Sequence, residues 1–302
     1  MISRPFSPSD LPALIDLASL HSHNHLRVID LPYRFSSWAL DDPANTQLWF
    51  DSSGKLAGWA VMQLPFWTLD FACDPAVEAD LLPKMLAWAD ERARQLRAAP
   101  WERECWFVNV FADQARRLSL LTAAGWIDQG DLGEDSWSKV WLRRPADLPV
   151  KEYRIPPGFT IRPLRGPAEA AAYVEMHQTT FGTKNMQLEW RQRTLQEPAY
   201  RPDLDIVVEA PGGELAAFCI GWLQRLGDGR LVGQVEPLGC LPQFTRYALG
   251  RLALAEVLRR LAAAGAESIY VETDTYRNTA HNLYDHMGFV LERNVLVLRK
   301  DY

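Results

Sequence analysis

The sequence predicts an α/β fold that is built twice along one chain, with a mixed β-sheet flanked by helices in each half. The chain has 302 residues, a length that suits two domains of about 150 residues each. A proline-rich segment at residues 144–158 (RPADLPVKEYRIPPG) divides it near the middle. The two halves show the same order of strand and helix patterns, which indicates duplication of a whole domain rather than a short-period repeat.

The first two elements correspond between the halves. Each half opens with a short strand that ends in Arg-Pro, at residues 2–5 and 160–163. A helical stretch follows in each half, at residues 10–20 and 168–180. A strand followed by a helix at both starts is the alternation expected of an α/β domain.

The central strands also correspond. A hairpin follows in each half, and its turn glycine is Gly54 in the first and Gly213 in the second, an offset of 159 residues. Glycine supplies the positive φ that tight hairpin turns require. The next strand ends in Cys-x-Pro in both halves, where Cys73 corresponds to Cys240 at an offset of 167 residues. The offsets are similar, so the insertions fall in loops.

A long amphipathic helix comes next in each half, at residues 79–97 and 249–264, with apolar side chains at three- and four-residue spacing. Two stretches of 21 residues, which begin at Trp106 and Ile269, then align without a gap at an offset of 163 residues. Each stretch contains a strand, a second helix and a Gly-aromatic pair.

A final strand closes each half, at residues 137–142 and 295–298. Each half therefore has the predicted order β-α-β-β-β-α-β-α-β, which suits a mixed α/β sheet.

Composition excludes several functional classes. Apolar residues make up 48% of the chain and charged residues 23%, the balance of an ordinary globular protein. The net charge of −6 offers no basic footprint for nucleic acid and disfavours an anionic membrane surface. No apolar stretch reaches 18 residues, and the N-terminal residues lack the apolar core of a signal peptide. We therefore expect a cytoplasmic monomer or homodimer with neither nucleic acid nor membrane as a partner.

The cysteine and histidine patterns predict no metal site. The four cysteines form no C-x-x-C pair, which fits a reducing compartment; they are Cys73, Cys105, Cys219 and Cys240. The run from His21 to His25 (HSHNH) has no acidic or cysteine partner that the sequence places beside it. We expect this run to be a solvated loop.

The turn that precedes the helix at residues 249–264 favours an anion. A helix N-terminus exposes backbone N–H groups and carries partial positive charge, so it suits a phosphate. Ala248 and Gly250 leave the backbone open to close approach, and Arg246 and Arg251 can reach phosphate oxygens. The alternative is an ordinary strand–helix turn that needs small residues for packing.

Two motifs in this half resemble the GCN5-related N-acetyltransferase (GNAT) family. The run Thr245-Arg246-Tyr247-Ala248-Leu249-Gly250 is similar to the family's [Q/R]-x-x-[G/A]-x-[G/A] segment, with Thr245 where Gln or Arg is usual. The stretch from Asn278 to Phe289 is similar to the family's second hallmark, which contains Leu-Tyr and ends in Gly-Phe. The resemblance covers the second half fully and the first half through the duplication. It implies two tandem GNAT-like domains, each a mixed, mostly antiparallel β-sheet flanked by helices.

The resemblance also implies a co-substrate, acetyl-CoA, and no metal. The diphosphate would lie on the turn at residues 245–251, and the pantetheine arm would pair with the backbone of residues 238–240. The cofactor-binding residues predicted in this way are Leu238, Gly239, Cys240, Thr245, Arg246, Tyr247, Ala248, Leu249, Gly250, Arg251 and Asn278.

The resemblance assigns a general acid, whereas the base stays open. Tyr284 would protonate the departing thiolate. Glu236, which alternates with Gln234 and Leu238 on one face of its predicted strand, is the candidate base. Glu272 on the next strand competes with it, and a relay through water is a third possibility. Glu272 is also a candidate substrate-binding residue.

The acceptor pocket is the part of the site that the sequence defines least. By the resemblance, Trp190 lies where the family builds this pocket, so we predict Trp190 as a substrate-binding residue.

The first half lacks the chemistry-bearing residues. At an offset of 163 residues, Leu121 stands where the second half has Tyr284. Acidic residues Asp74, Glu78 and Asp80 place negative charge where a diphosphate would bind. We therefore predict a degenerate, non-catalytic domain at residues 1–147.

We predict an acetyltransferase domain that binds acetyl-CoA at residues 148–302. The predicted function is direct acetyl transfer from acetyl-CoA to a primary amine of a small molecule. The alternatives are a non-catalytic acyl-CoA sensor and an acetyltransferase that acts on a protein amine.

Overall fold

The computed structural model describes residues 1–97 and 104–302, and within these ranges the strands form one sheet of 13 strands. The strands are β1 (Ile2–Pro5), β2 (Thr46–Phe50), β3 (Leu56–Gln63), β4 (Thr68–Cys73), β5 (Cys105–Phe111), β6 (Ile127–Asp128), β7 (Lys139–Pro145), β8 (Thr160–Pro163), β9 (Asp205–Glu209), β10 (Leu215–Arg225), β11 (Leu231–Cys240), β12 (Ser268–Asp274) and β13 (Val290–Asp301).

Helices cover both faces of the sheet. The α-helices are α1 (Leu11–Leu20), α2 (Leu31–Phe35), α3 (Glu78–Arg97), α4 (Ala115–Ala123), α5 (Ala170–Phe181), α6 (Leu188–Gln196), α7 (Leu249–Ala263) and α8 (Asn278–His286). Within the described residues, the predicted strands and helices occur in the predicted order. The structure adds α2 and α6 after the first helix of each half, and the short strand β6 before β7. Among the described residues, no helix is both long enough and apolar enough to span a membrane.

The sheet is mixed and mostly antiparallel, as the resemblance implies. Neighbouring strands run in the order β1-β2-β3-β4-β5-β13-β7-β12-β11-β10-β9-β8, and β6 pairs with β13 beside this path. Within the described residues, only two neighbouring pairs are parallel, β4 with β5 and β11 with β12. These two pairs occupy corresponding places in the two halves.

The final strands of the two halves are exchanged. The first half's last strand, β7, pairs with β12 of the second half, for example Leu142 with Val271. The second half's last strand, β13, pairs through Val295–Asp301 with β5 of the first half. Each half therefore closes its sheet with a strand from the other.

The buried apolar side chains form one continuous cluster on one face of the sheet and two separate clusters on the other face. On one face, α1, α2, α5 and α6 cover a single apolar cluster that contains strand residues from both halves, such as Trp59 and Trp222. On the other face, α3 and α4 cover a cluster of the first half, and α7 and α8 cover a cluster of the second. The shared face joins the two halves into one core and brings α2 against the strands of the second half.

Candidate functional site

The site is built around a gap between two parallel strands. Strands β11 and β12 are paired between Val232 and Ser268 and as far as Gln234 and Tyr270, after which the two strands separate. Ladder hydrogen bonds end there, so the edge groups of both strands become available to a partner lying between them. The gap points toward the N-termini of α7 and α8.

A β-bulge decides which way the side chains of β11 point at this gap. Against β10, Cys219 pairs with Leu238 but Gly221 pairs with Val235, so β11 carries an extra residue at Glu236-Pro237. A bulge of one residue reverses the alternation of the side chains beyond it. The expectation that Glu236 and Leu238 share one face is therefore wrong. Glu236 faces the shared core, and Leu238 packs on the side of α7.

On the α7 side, the gap opens into a cleft of about 770 Å³. A volume of this order suits a cofactor-sized ligand. The cleft contains nine of the predicted cofactor-binding residues together with Tyr284; the nine are Leu238, Gly239, Cys240, Thr245, Ala248, Leu249, Gly250, Arg251 and Asn278. We name it the cofactor cleft.

The N-terminus of α7 fits a diphosphate. Ala248 precedes the helix with a left-handed φ of 54°, which turns the chain sharply into the first helical turn. A Cβ added to Gly250 would meet its nearest neighbours, the side chains of Cys240 and Leu238, at 3.9 Å, so packing within the protein does not require glycine there. The Nε of Arg251 is buried without a hydrogen-bond partner among the described residues. The missing Cβ and the unpaired donor both fit an anionic group in the cleft.

Two predicted cofactor residues do not line this cleft. The guanidinium of Arg246 donates a hydrogen bond to the hydroxyl of Tyr247 at 2.7 Å and stacks on its ring. The ring of Tyr247 packs against Phe159, with 5.1 Å between centroids. The structure thus does not bring Arg246 and Tyr247 into the cofactor cleft. Thr245 does line it, and its hydroxyl donates to the carbonyl of Pro242 at 2.9 Å.

Tyr284 is held as a neutral phenol at the inner part of the cleft. The residue is 6% exposed, and its ring packs edge-on against Phe289 with 5.6 Å between centroids. Burial, followed by the nearby charge of Glu236, raises the pKa of Tyr284 above its usual value. A phenol that keeps its proton is suited to act as an acid.

On the opposite side of the gap lies a second cavity of about 290 Å³. Residues from both halves line it: Arg27, Arg34, Phe66, Trp67, Thr68, Phe107, Asn109, Trp137, Lys139, Glu236, Glu272, Thr273, Asp274 and Arg277. We name it the acceptor cavity. Because the contributing segments lie far apart in the chain, no local motif could have predicted it.

The two competing carboxylates differ in protonation. Burial, then the negative charge of Asp30, raises the pKa of Glu236 to about 7. Burial also acts on Glu272, but the ion pairs with Arg27 and Lys139, both at 2.9 Å, outweigh it and hold its pKa at about 2. Glu236 makes no side-chain hydrogen bond or ion pair within the described residues, whereas Glu272 is fully engaged.

Trp190 lies behind the acceptor cavity. It is 2% exposed, and its indole N–H donates to the carbonyl of Tyr33 at 3.2 Å. Its ring packs against Phe66, with 5.3 Å between centroids, and Phe66 lines the cavity. The structure therefore gives Trp190 a supporting position and does not bring it to the cavity surface.

The corresponding gap in the first half is filled by the chain itself. Strands β4 and β5 pair only at Thr68 and Phe107 before they separate. Residues 24–27 enter this gap, where the carbonyl of Asn24 accepts hydrogen bonds from the side chains of Gln114 and Arg117. The void left at this gap is about 30 Å³, against about 770 Å³ for the cofactor cleft, and a separate groove of about 630 Å³ lies beside it at the starts of α3 and α4. We call residues 24–27 the plug.

The plug corrects one sequence expectation. The run from His21 to His25 was expected to be a solvated loop, but His25 is only 7% exposed. At the start of α3, where a diphosphate would lie, Glu78 instead forms an ion pair with Arg117 at 2.5 Å. The plug thus fills the gap, and the groove at the start of α3 presents the Glu78–Arg117 ion pair where a diphosphate would lie.

The described residues contain no cluster of three or more His, Cys, Asp or Glu side chains that could hold a metal ion. The side chains that line the two sides of the gap include carboxyl groups, guanidinium groups, the ammonium of Lys139 and the phenol of Tyr284.

Two parallel strands that separate beside a helix N-terminus, with a cofactor cleft on one side of the gap and an acceptor cavity on the other, define the fold class of the GNAT acetyltransferases. Residues 170–289 match the family model described as "Acetyltransferase (GNAT) family". The second half of this chain is therefore a domain of the GNAT family.

Comparison with individual proteins supports the same assignment. The chain is 30% identical over 210 residues to a mycothiol acetyltransferase from Kineococcus radiotolerans, a match that covers 68% of this chain and 62% of the relative. Matches to mycothiol acetyltransferases from Salinispora tropica and Salinispora arenicola span about half of the length of those relatives.

Solved structures extend the likeness to the whole chain. A GCN5-related N-acetyltransferase from Sphaerobacter thermophilus superposes with a TM-score of 0.67 at 19% identity, covering 99% of this chain and 95% of the other. A tandem GNAT protein from the clavulanic acid biosynthesis pathway superposes with a TM-score of 0.64 at 13% identity, covering 99% and 98%. At these identities the likeness concerns the fold, including its tandem arrangement.

Proposed function

We propose that the protein is an N-acetyltransferase that transfers the acetyl group of acetyl-CoA directly to a primary amine of a small molecule. The second half, residues 148–302, would carry the reaction, and residues 1–147 would be a non-catalytic domain that completes the acceptor cavity. One observation carries the proposal most strongly. Glu236, an unpaired carboxyl group with a pKa of about 7, faces the acceptor cavity, and a neutral phenol, Tyr284, faces the cofactor cleft.

The cofactor cleft supports the choice of co-substrate. When bound, acetyl-CoA supplies an acetyl thioester. The N-terminus of α7 with Gly250 and Arg251 would hold its diphosphate, and Asn278 and the free edge of β11 would hold its pantetheine arm. This places the reacting groups at the gap, between the acceptor cavity and Tyr284.

Each residue at the gap has a task in such a transfer. Glu236 takes a proton from the acceptor ammonium, which frees the nitrogen lone pair. As the nitrogen bonds to the thioester carbonyl carbon and the C–S bond breaks, backbone N–H groups near Gly239 stabilise the charge on the carbonyl oxygen. The Oη of Tyr284 gives its proton to the departing sulfur, and the second proton that the nitrogen loses on becoming an amide restores the phenol of Tyr284. Glu272 stays ionised and paired, so it is not the base in this scheme.

The test is acetyl transfer by the purified full chain. The amine panel should include the form of mycothiol that lacks the acetyl group, because curated relatives are named mycothiol acetyltransferases. We expect an acetylated product by mass spectrometry, with kcat lowered about 10- to 100-fold in Tyr284→Phe through loss of the proton donor. Glu214→Gln, which changes an exposed hairpin carboxylate, is the control and should retain full activity.

Binding of acetyl-CoA without turnover of any amine would contradict this function and support an acyl-CoA sensor. Transfer to protein amines alone would support the protein-directed alternative.

A further inference from the structure

The charges of the acceptor cavity are almost completely paired within the protein. Lys139 contacts Glu272 at 2.9 Å and Asp274 at 2.8 Å, and Arg27 contacts Glu272 at 2.9 Å. Arg34 is engaged as well, since it forms an ion pair at 2.6 Å with a carboxylate behind the cavity wall, that of Asp70.

Two charged groups that line the cavity remain. Within residues 1–97 and 104–302, neither the carboxyl group of Glu236 nor the guanidinium of Arg277 has a side-chain hydrogen bond or an ion pair. One is an acid and the other a base, and both face the same space. A ligand that complements them needs a basic group for Glu236 and an acidic group for Arg277.

Arg277 is exposed, and it lies at a helix end that favours an anion. Arg277 directly precedes α8 and occupies its N-cap position without a side-chain cap. A helix N-terminus carries partial positive charge, so a cation is destabilised there and an anion is stabilised. A bound acidic group would gain from both the guanidinium and the helix end.

We propose that the acceptor is an amine that also carries a carboxylate, with its amino group at Glu236 and its carboxylate at Arg277. This inference rests on the proposed function and names the acceptor class of the same site. Phe66, Phe107 and Trp137 provide apolar walls for the body of the molecule. Trp67 completes them with a left-handed φ of 58°, a conformation that is strained for a bulky side chain and concentrates at functional sites.

The alternative role for Arg277 is to bind the cofactor, because this residue also lines the cofactor cleft. The diphosphate already has a place at the N-terminus of α7, on the far side of the gap. Arg277 is therefore assigned to the acceptor, and the experiment measures binding of acetyl-CoA separately.

The experiment compares acids with their amides under matched conditions. The panel is L-phenylalanine with L-phenylalaninamide, glycine with glycinamide, and glucosamine as an acid-free amine. We expect kcat/KM at least about tenfold higher for the acids, which is the contribution of a hydrogen bond to a charged group. The amino group of each amide loses its proton more easily than that of the matching acid, so the amide is the more reactive amine. A higher kcat/KM for the acid therefore underestimates the contribution of the carboxylate to binding.

Arg277→Gln then identifies the group responsible. We expect it to lower kcat/KM for the acids about tenfold, to change the amides less than about twofold, and to leave the calorimetric Kd of acetyl-CoA unchanged. Arg201→Gln, which removes an exposed arginine paired with Asp203 at 2.7 Å, should change none of these values.

The other outcomes each overturn a defined claim. Transfer to amides or glucosamine without preference for acids would refute the acidic acceptor and leave the acetyltransferase standing. An equal loss for acids and amides in Arg277→Gln, with weaker acetyl-CoA binding, would assign Arg277 to the cofactor. No transfer to any amine of this panel or of the wider panel above would refute the proposed function itself.

Discussion

Glu236 and Glu272 lie on neighbouring strands and face one cavity, yet their surroundings give them opposite protonation behaviour. Glu272 contacts two cations, whereas Glu236 has an unpaired carboxyl group and the negative charge of Asp30 nearby. From the sequence, Glu236 was the candidate base and Glu272 its competitor, and the choice between them stayed open. The cations that separate them are Arg27, on a loop of the first half, and Lys139, on an exchanged strand, and local spacing predicts neither contact.

The pKa of Glu236 predicts a pH dependence of the reaction. Its value of about 7 lies above the usual range, so the carboxyl group is protonated, and inactive as a base, below neutral pH. We expect kcat/KM to rise with pH and to level off above about 7, since this ratio reports ionisation in the free enzyme.

Glu236→Gln should abolish this rise and lower the plateau by about 100-fold or more. Glu214→Gln should keep both the rise and the plateau. An unchanged profile in Glu236→Gln would mean that a water relay or another group removes the proton.

The residues that the sequence predicted best are those in compact motifs. Ala248, Gly250, Asn278 and Tyr284 all line the cofactor cleft, because a strand–turn–helix segment fixes its own side chains relative to the backbone. Arg246 and Tyr247 belong to the same motif, yet an aromatic cluster outside the cleft holds them. Spacing thus predicts which segment binds and does not predict how each side chain turns.

Among the elements, α7 and α3 are corresponding helices of the two halves, but the groups at their N-termini differ. The first turn of α7 borders an open cleft, whereas Glu78 begins α3 and pairs with Arg117. The sequence revealed the lost motif and the acidic residues of the first half. The sequence did not predict the plug, because the plug belongs to a loop after α1 that carries no recognisable motif.

Gly250 gives the test at this scale. In Gly250→Val the branched side chain would extend into the cofactor cleft, while the nearest protein atoms at 3.9 Å leave room for the Cβ. We expect acetyl-CoA to bind more than about tenfold more weakly, with no loss of helix stability, because the helix propensity of valine is slightly better than that of glycine.

Calorimetry with acetyl-CoA provides the measurement, and Gly212→Val, at a hairpin glycine whose Cβ would meet nothing within 4 Å, is the control. The wild type should bind one acetyl-CoA per chain, because the plug fills the gap of the first half and Glu78 places negative charge at the start of α3. Two sites per chain would contradict the role we give to the plug.

At the scale of the whole molecule, the duplication was visible in the sequence, whereas the exchange of final strands was not. The apolar pattern of β7 and β13 is compatible with pairing to the strands of either half. A buried strand needs apolar neighbours and a free strand edge, and both halves offer these. The linker at residues 144–158 marks a boundary in the chain but not in the sheet, because β7 pairs with β12 and β13.

The exchange predicts that the halves are not independent. Expressed alone, residues 1–147 would lack the strand that pairs with β5, and residues 148–302 would lack the strand between β12 and β13. We expect neither fragment to show a cooperative thermal transition by circular dichroism, and the two co-expressed fragments to elute together as a 1:1 complex. A cooperative transition in either fragment alone would contradict this view.

The same exchange imposes an order on synthesis. The strands β1–β5 are translated before residues 295–301 of β13, which pair with β5 along its length. Until then β5 keeps an open edge, which is a template for pairing with another chain. The first half therefore completes its sheet only after β13 has been translated, and a nascent chain truncated before residue 290 would expose that edge to chaperones and proteases.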